Sequence, residues 1–372
     1  MSEIPHHNSV ERAPGDRGAG LGLAERDRVR QTVAIYLRLF SERAELDEPA
    51  VRALGREALE RIDRVAPELG EEIQGIAAGS GVDAELIGAL NARTEVLAAG
   101  RGECSTVACL GNLTASGQPI GMQTWDWHDA LADSWLRWTI DHPDGRRVDT
   151  LTEAGIVGKI GVSDCGVGLF LNILGHAADG PPMGTPVHVL NRMVLDRADN
   201  ASAALAILAG AQMSASSAVT VVAADEDGGC VCTVELSPAG PGFVTPDERG
   251  LLAHTNHFLA SPGREADVMV RSGPDSVLRL DHARRVLAQV AEQPVTEEAM
   301  LGVLRSHRGG SSAICCHPPD DAGFGDRWAT LATIAIEPAQ RRMRIRAGGP
   351  CGRLPAPAGG TTGSDPGVPV RA

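Results

Sequence analysis

The chain has 372 residues, a net charge of −14 and 43% hydrophobic residues. This apolar share suffices for a sizeable core, and no uncharged apolar run is long enough to cross a membrane. The negative charge repels phosphate backbones and anionic lipids, so we expect neither nucleic acid nor a membrane as partner. Because no apolar signal segment is visible, we expect a cytoplasmic protein with reduced cysteines.

The first third of the chain predicts helices. Residues 1–23 are polar and contain Gly and Pro, so we expect a flexible N-terminal tail. Residues 24–103 carry apolar side chains at helical spacing, for example Val51, Leu59 and Ile62. We therefore expect a helical segment that ends at residue 103.

From residue 104 onward, short β-prone runs alternate with turn-forming residues, which predicts a sheet-rich body over 104–347. Paired runs predict hairpins at 104–110 with 119–127, 217–224 with 230–237, and 329–338 with 342–347. Further strands are expected at 134–141, 157–163 and 167–174, and helices at 186–209, 275–291 and from Thr296 onward. Residues 348–372 are rich in Gly and Pro, so we expect a disordered tail. This order of elements predicts a layered α+β fold with antiparallel sheets.

Cys104 lies at the junction between the helical segment and the first predicted strand, preceded by Gly100 and Gly102. A thiol at such a junction can attack the carbonyl of the preceding residue, Glu103, and form a thioester that water hydrolyses. The new N-terminal cysteine would carry a thiol and an α-amine with a pKa of about 8, which can act as its general base. Taken alone, a small residue that begins a strand is more often a packing residue.

Other cysteines suggest different chemistry. Cys230 and Cys232 share one side of a predicted strand, which favours a buried pair. Cys315, Cys316 and His317, with Cys351, could bind zinc, although adjacent cysteines in a strand point to opposite sides. We therefore expect no metal in the functional site.

Several blocks resemble one known family in order along the chain. They are EEIQGIAAGSGVDAELIGALNARTE, ECSTVACL with QTWDW, TEAGIVGKIGVSDCGVGLFLNIL, HTNHFL, PDSVLRLDHARRVL and WATLATIAI. These blocks are similar to the isopenicillin N acyltransferase family over roughly residues 30–347. The resemblance implies a four-layer αββα N-terminal-nucleophile hydrolase sandwich, in which two antiparallel sheets lie between helical layers.

The resemblance also implies roles for individual residues. The precursor would cut itself between Glu103 and Cys104, Cys104 would be the nucleophile, and Asn256 would donate an N–H to the oxyanion. Asp126 matches the acidic residue near the amine of the nucleophile. The 1–103 fragment would stay bound to the large chain as its partner.

Some positions depart from the family pattern. Glu103 stands where a glycine is expected, and Cys316 falls at the position of an arginine that pairs with the acidic residue. Arg327 or His128 could replace that arginine. His128, His254 and His257 are also the rival general bases, because they lie close to the matched motifs.

We expect a self-processing amidohydrolase that cleaves a small N-acyl (aminoacyl) amide through an acyl-enzyme on Cys104, without a cofactor. One alternative is an acyltransferase that moves an acyl group from a coenzyme A thioester or an amide to an amine in antibiotic or secondary-metabolite biosynthesis. A second alternative, from a different class, is a non-catalytic zinc-binding protein.

Overall fold

The N-terminal third of the computed structural model, which describes residues 4–97 and 104–355, consists mainly of helices. They are α1 (Pro14–Ala24), α2 (Arg26–Ala44), α3 (Glu48–Val65), α4 (Pro67–Ser80), α5 (Ala84–Asn91) and α6 (Arg93–Leu97). The Asp47 side chain accepts from the backbone N–H of Ala50 and so caps α3. Gly81 ends α4 with a φ of +66°, a conformation that favours glycine.

The expectation of a flexible tail over residues 1–23 is wrong for the part that forms β1 (His6–Ser9) and α1. The glycines of α1 allow close backbone contact rather than flexibility, because a Cβ at Gly18 would lie 1.9 Å from the carbonyl oxygen of Glu72 in α4. A Cβ at Gly75 would likewise lie 2.1 Å from the Gly15 carbonyl oxygen. The Gly-rich sequence is therefore a helix–helix interface.

The remaining chain forms two sheets. The strands are β2 (Ser105–Cys109), β3 (Ile120–His128), β4 (Trp135–Asp141), β5 (Arg147–Glu153), β6 (Ile160–Ser163), β7 (Val167–Ile173), β8 (Ser217–Ala223), β9 (Cys230–Leu236), β10 (Gly242–Val244), β11 (Leu251–His254), β12 (Trp328–Glu337) and β13 (Arg342–Ala347). The 8-stranded sheet has the order β1-β4-β5-β6-β7-β8-β9-β10, and the 5-stranded sheet has the order β11-β2-β3-β12-β13. All pairs are antiparallel except β1 with β4, which is parallel.

Helices cover both outer faces of the sheet pair. They are α7 (Val187–Arg197), α8 (Ala201–Ala209), α9 (Met269–Ser272), α10 (Asp275–Val290) and α11 (Glu297–Leu304). The first two pack on the 8-stranded sheet, and α10 and α11 pack on the 5-stranded sheet. The expected four-layer αββα fold is thereby confirmed.

Strand alternation decides which side chains of β2 face the second sheet. Val107 and Cys109 pack into the core under α10 and α11. Thr106, on the opposite side, bonds Asn172 of β7 across the gap between the sheets. Residue 104 lies on the same side as Thr106, so the start of β2 delivers its side chain toward the inter-sheet gap.

Strands β5, β10 and β11 are not predicted from the sequence. The polar residues of β5, such as Asp149 and Glu153, are buried and paired, which hides the apolar alternation typical of a strand. The expected disordered tail is wrong for residues 348–351, where the Gly348 N–H donates to the Leu331 carbonyl. The rest of that tail, from residue 356, lies outside the described residues.

Candidate active site

Cys104 immediately precedes β2 and is only 3% exposed. Its Sγ lies 3.8 Å from the backbone carbonyl oxygen of Asp126, to which the thiol donates. Burial, and secondly the Asp126 charge, raise the pKa of the Cys104 thiol to about 12. The thiol of the uncleaved chain is therefore protonated at neutral pH, and attack on a carbonyl requires a base.

Two side chains hold the carbonyl oxygen of Cys104. Asn172 Nδ2 donates to it at 3.0 Å, and Arg279 Nη1 donates to it at 3.2 Å. Arg279 Nη1 also donates to Ser105 Oγ at 3.1 Å. These bonds fix the backbone at the first residues of β2.

Asn256 shares the guanidinium of Arg279 with Cys104 and is the residue that the sequence predicts as oxyanion donor. Its Oδ1 accepts from Arg279 Nη2 at 3.1 Å, and its Nδ2 donates to the Ile173 carbonyl at 2.9 Å. The amide nitrogen carries two hydrogens, and Ile173 accepts one of them. Asn256 is fully buried, so its amide is held in one orientation.

Arg279 and Asn172 are site residues that the sequence reading does not identify. Arg279 lies on α10, within the block PDSVLRLDHARRVL, where a helical arginine reads as a surface residue. Asn172 Oδ1 accepts from Thr106 Oγ1 at 2.7 Å and from Gln123 Nε2 at 3.1 Å. Those two donors turn its Nδ2 toward Cys104. Only the packing of β7 against β2 and β3 of the other sheet reveals this network.

Asp126 lies on β3, fully buried, and pairs in register with Thr330 of β12. Its charge acts on the thiols of both Cys104 and Cys315, where it adds to the larger effect of burial in raising their pKa values. The backbone carbonyl of Asp126 is also the acceptor for the Cys104 thiol, so this residue of β3 adjoins the start of β2.

The proposed replacement of the family arginine by Arg327 is wrong. Its Nε donates to Asp129 Oδ2 at 2.6 Å, and its Nη1 donates to the Pro319 carbonyl at 3.1 Å. Arg327 is thus the partner of Asp129 rather than of Asp126. Cys316, at the arginine position itself, directs its Sγ toward the carbonyl oxygens of Ser311 and Trp328, at 3.0 and 3.3 Å.

The histidines near the motifs are poor general bases. Burial lowers the pKa of His128 to about 3, and its ring packs against Trp328 with the centroids 4.4 Å apart. Burial lowers the pKa of His257 to about 4. His254 contacts acceptors with both nitrogens, Glu235 Oε1 at 2.7 Å and the Thr255 carbonyl at 2.9 Å. Both ring nitrogens are thus engaged with partners other than Cys104.

A buried ionic cluster joins the helical segment to the sheets beside Cys104. Glu153 Oε2 lies 3.1 Å from Arg93 Nη2 and 2.9 Å from Lys159 Nζ, and Glu153 Oε1 accepts from the Tyr36 hydroxyl. Burial lowers the pKa of Lys159 to about 7. The Lys159 ammonium also lies 3.6 Å from the centroid of the Trp125 ring. One feature of the sequence sets a member of this cluster apart, since Lys159 is the single lysine among 34 Lys and Arg residues.

A small apolar cavity of about 10 Å³ adjoins the site. It is lined by Thr94 and Leu97 of α6 together with Trp127, Ile173, Leu174, Ala215 and Ser216. A much larger groove of about 640 Å³ is lined by Asp27, Arg28 and Trp135 among others, and contains none of the site residues. The small cavity includes Ile173, whose carbonyl accepts from Asn256, and its volume is that of about one water molecule.

The chain is similar to several known proteins. It is 28% identical over 347 residues to the acyl-coenzyme A:6-aminopenicillanic-acid-acyltransferase 40 kDa form of Emericella nidulans, covering 92% of this chain and 93% of the relative. Among solved structures it resembles penicillin V acylase from Agrobacterium tumefaciens, at 9% identity and a TM-score of 0.44, over 66% of this chain and 83% of that chain. It also resembles a mutant of conjugated bile acid hydrolase from Clostridium perfringens, at 10% identity and a TM-score of 0.44, over 66% of this chain and 92% of that chain.

Within residues 4–97 and 104–355, every helix is too short or too polar to cross a membrane. Residues 114–351, well over half of the chain, match the family described as acyl-coenzyme A:6-aminopenicillanic acid acyl-transferase. The chain is therefore an enzyme, and it belongs to the acyl-coenzyme A:6-aminopenicillanic acid acyl-transferase family.

Proposed function

We propose that the chain cleaves itself between Glu103 and Cys104 and then acts as an amidohydrolase on a small N-acyl (aminoacyl) amide. The observation that carries this proposal is that the Arg279 guanidinium donates hydrogen bonds both to the Cys104 carbonyl oxygen and to Asn256 Oδ1. These contacts support a shared site for the candidate nucleophile and the candidate amide donor, because one guanidinium contacts both residues. This is the pairing that acyl transfer requires.

Self-cleavage would proceed by an N-to-S acyl shift. The Cys104 sulfur attacks the carbonyl carbon of Glu103, the bond from that carbon to the Cys104 nitrogen breaks, and the nitrogen takes up a proton. The proton that the nitrogen takes up is the one that the thiol gives up. Water then hydrolyses the thioester, which leaves a carboxylate on Glu103, a thiol and an α-amine on Cys104, and one proton that goes to solvent or to the amine. No cofactor is needed.

In the cleaved enzyme the α-amine would take the thiol proton as the thiolate attacks the substrate. Its ordinary pKa of about 8 suits this exchange at neutral pH. The pKa values of about 3 and 4 at His128 and His257 make those rings far weaker bases. The negative oxygen that develops on the substrate carbonyl would accept from Asn256 Nδ2.

Asp126 would orient the α-amine. A buried carboxylate beside the start of β2 attracts the ammonium form and so raises the pKa of the amine. The same charge disfavours the thiolate of Cys104, as the raised pKa of the thiol shows in the uncleaved chain. Proton transfer between these two groups would therefore stay within the nucleophilic residue.

The 1–103 fragment would remain bound after cleavage. Its Arg93 and Glu72 form buried ion pairs with the large chain, Arg93 with Glu153 at 3.1 Å and Glu72 with Arg192 at 2.6 Å. Neither pair involves the bond to be cut. Separating the fragments would expose these charges singly and the apolar surface around them, which is unfavourable.

The second candidate function is acyl transfer from a coenzyme A thioester to an amine. The family and the fungal relative support it, because both carry an acyl-coenzyme A:6-aminopenicillanic acid acyltransferase description. The net charge of −14 argues for hydrolysis, since coenzyme A brings phosphates that need a local basic site. The cavity beside Trp127 and Ile173, at about 10 Å³, has room for about one water molecule, so it does not favour either reaction.

Capture of the acyl-enzyme tests both candidates. The purified, cleaved protein is incubated with amides and with coenzyme A thioesters of the same acyl groups, and the mass of the large chain is measured. We expect an acyl adduct from an amide, followed by release of free acid. An adduct from thioesters alone, discharged by an amine such as 6-aminopenicillanic acid, would favour the transferase.

Controls assign the adduct to one thiol. Cys104→Ala should give no adduct, whereas Cys165→Ser, which removes a half-buried thiol elsewhere, should give the wild-type adduct. The absence of any adduct on a cleaved, folded wild-type protein, across amides and thioesters that are turned over, would refute the proposed covalent mechanism.

A further inference from the structure

Four metal-binding side chains converge next to the 5-stranded sheet, outside the proposed catalytic group. They are His307, Cys315, His317 and Cys351, and their ligand atoms all lie within 4.8 Å of one another. His307 follows α11, Cys315 and His317 precede β12, and Cys351 follows β13. Three separate stretches of chain therefore meet at this cluster.

The distances within the cluster are those of a tetrahedral site. His317 Nε2 lies 3.6 Å from Cys315 Sγ, 3.4 Å from Cys351 Sγ and 3.3 Å from His307 Nε2. Around a tetrahedral Zn²⁺ with Zn–S of about 2.3 Å and Zn–N of about 2.0–2.1 Å, the S···N edges are about 3.5 Å and the N···N edges about 3.3 Å. Direct hydrogen bonding explains the set less well, since a single ring nitrogen faces three other ligand atoms.

The surrounding backbone fits the two sulfur atoms. A Cβ at Gly349 would lie 2.6 Å from Cys315 Sγ and 3.7 Å from Cys351 Sγ, so only glycine leaves room for them. The backbone N–H of Arg353 donates to Cys351 Sγ at 3.4 Å, across a turn in which Gly352 has a φ of +83°. This N–H contact holds the Cys351 sulfur in position, as outer-shell partners of metal ligands do.

We propose that His307, Cys315, His317 and Cys351 bind one Zn²⁺ as a tetrahedral Cys₂His₂ site. Thiolate and imidazole ligands together favour zinc among the common divalent ions, and four protein ligands make the site closed and structural. The sequence grouping included Cys316 in place of His307. Adjacent cysteines point to opposite sides here, so Cys315 joins the cluster and Cys316 does not.

The metal would hold the segment before β12 against the turn after β13. That segment is also tied to β12, since the Cys316 N–H donates to Thr330 Oγ1 at 2.9 Å. Thr330 pairs in register with Asp126 of β3. The zinc therefore stabilises the wall of the catalytic region around Asp126 without contacting substrate. This inference is independent of the proposed reaction.

Metal analysis of the full-length protein tests the site. The wild type, Cys351→Ser, His307→Ala and the control Cys230→Ser are purified, reduced, and titrated with Zn²⁺ and with Co²⁺. The control removes a half-buried cysteine of β9 outside the cluster. His307 is exposed, so its replacement should leave the fold intact even if Cys351→Ser does not fold.

We expect the wild type and Cys230→Ser to bind one metal ion and to show the visible absorption of tetrahedral, thiolate-bound Co²⁺. Loss of one ligand should weaken binding by more than about 100-fold, beyond the effect of residues that only support ligands. Chelation should lower the melting temperature of the wild type but not of Cys351→Ser. A reduced, folded wild type that binds neither ion, or equal affinity in His307→Ala and wild type, would overturn the proposal.

Discussion

Replacing Asn256 by aspartate tests whether its side-chain N–H stabilises the oxyanion. Aspartate has the same shape, and its Oδ1 can still accept from Arg279 Nη2, now as an ion pair. The second oxygen, however, replaces the Nδ2 that donates to the Ile173 carbonyl at 2.9 Å. The variant therefore keeps the contact with Arg279 and loses the side-chain N–H that would donate to the oxyanion in the proposed reaction.

The expected loss follows from these contacts. Removing one oxyanion donor lowers kcat by about 10²–10³-fold, or about 2.7–4 kcal/mol. Asn256→Ala should fall in that range with little change in KM, since the donor acts on the developing charge. It should also lower the free energy of unfolding by about 1–3 kcal/mol, because it leaves buried partners unsatisfied. Asn256→Asp should lose more kcat than the alanine variant, because its charge repels the oxyanion.

The assay must separate substrate turnover from the proposed self-cleavage, because both would use Cys104 and the residues around it. Residues 1–103 and 104–372 are coexpressed, with the initiator methionine removed from the second chain, so that Cys104 begins it without processing. Asn200→Ala is the matched control, since Asn200 only caps α8 through the Ala203 N–H at 3.0 Å. That control should cost about 1 kcal/mol of stability and leave kcat unchanged. A folded Asn256→Asp enzyme with wild-type kcat would refute the assignment.

Three further predictions concern the base, a buried histidine and the fragment interface. If the α-amine of Cys104 is the base, an extra residue ahead of Cys104 in the coexpressed enzyme should abolish turnover while the thiol still reacts with a small alkylating agent. Wild-type activity should rise as the pH increases through about 8, and full activity with the amine blocked would contradict the mechanism. Because burial lowers the pKa of His128 to about 3, this histidine takes up its proton at a higher pH in the unfolded chain than in the folded one. The free energy of unfolding should therefore fall as the pH is lowered from about 6.5 to about 3. Denaturant unfolding of His128→Phe should show a smaller fall over the same pH range than the wild type, and equal falls in the two proteins would exclude His128 as the cause. Glu153→Gln removes the carboxylate that Arg93 and Lys159 share and leaves the Arg93 guanidinium buried without it, so the free energy of unfolding should fall by about 3–5 kcal/mol. The variant should also retain the 1–103 fragment less well in gel filtration, and wild-type elution would count against the interface.

The sequence predicts those parts of the fold that local patterns determine. Turn residues between β-prone runs locate the hairpins of β2 with β3 and of β12 with β13. The motif resemblance brings Cys104 and Asn256 together, and the structure joins them through Arg279. Residues whose role depends on the packing of one sheet against the other, such as Asn172 on β7, cannot be identified from the sequence around them.

Elements with misleading composition could not be predicted either. Glycines normally mark flexible chain, yet those of α1 and α4 let two backbones meet. In the structure Trp125 and Trp127 cover the cations of Lys159 and Arg93, at 3.6 and 4.3 Å from the ring centroids. These two tryptophans therefore help to bury charge, which their positions in the sequence do not indicate.

The most direct test of the central claim is intact mass and N-terminal sequencing of the purified protein and of Cys104→Ala. We expect the wild type to contain two associated chains, the larger beginning CSTVA, and the alanine variant to remain a single chain. A wild type that is active as one uncut chain would contradict the claim, and so would an alanine variant cut at the same bond.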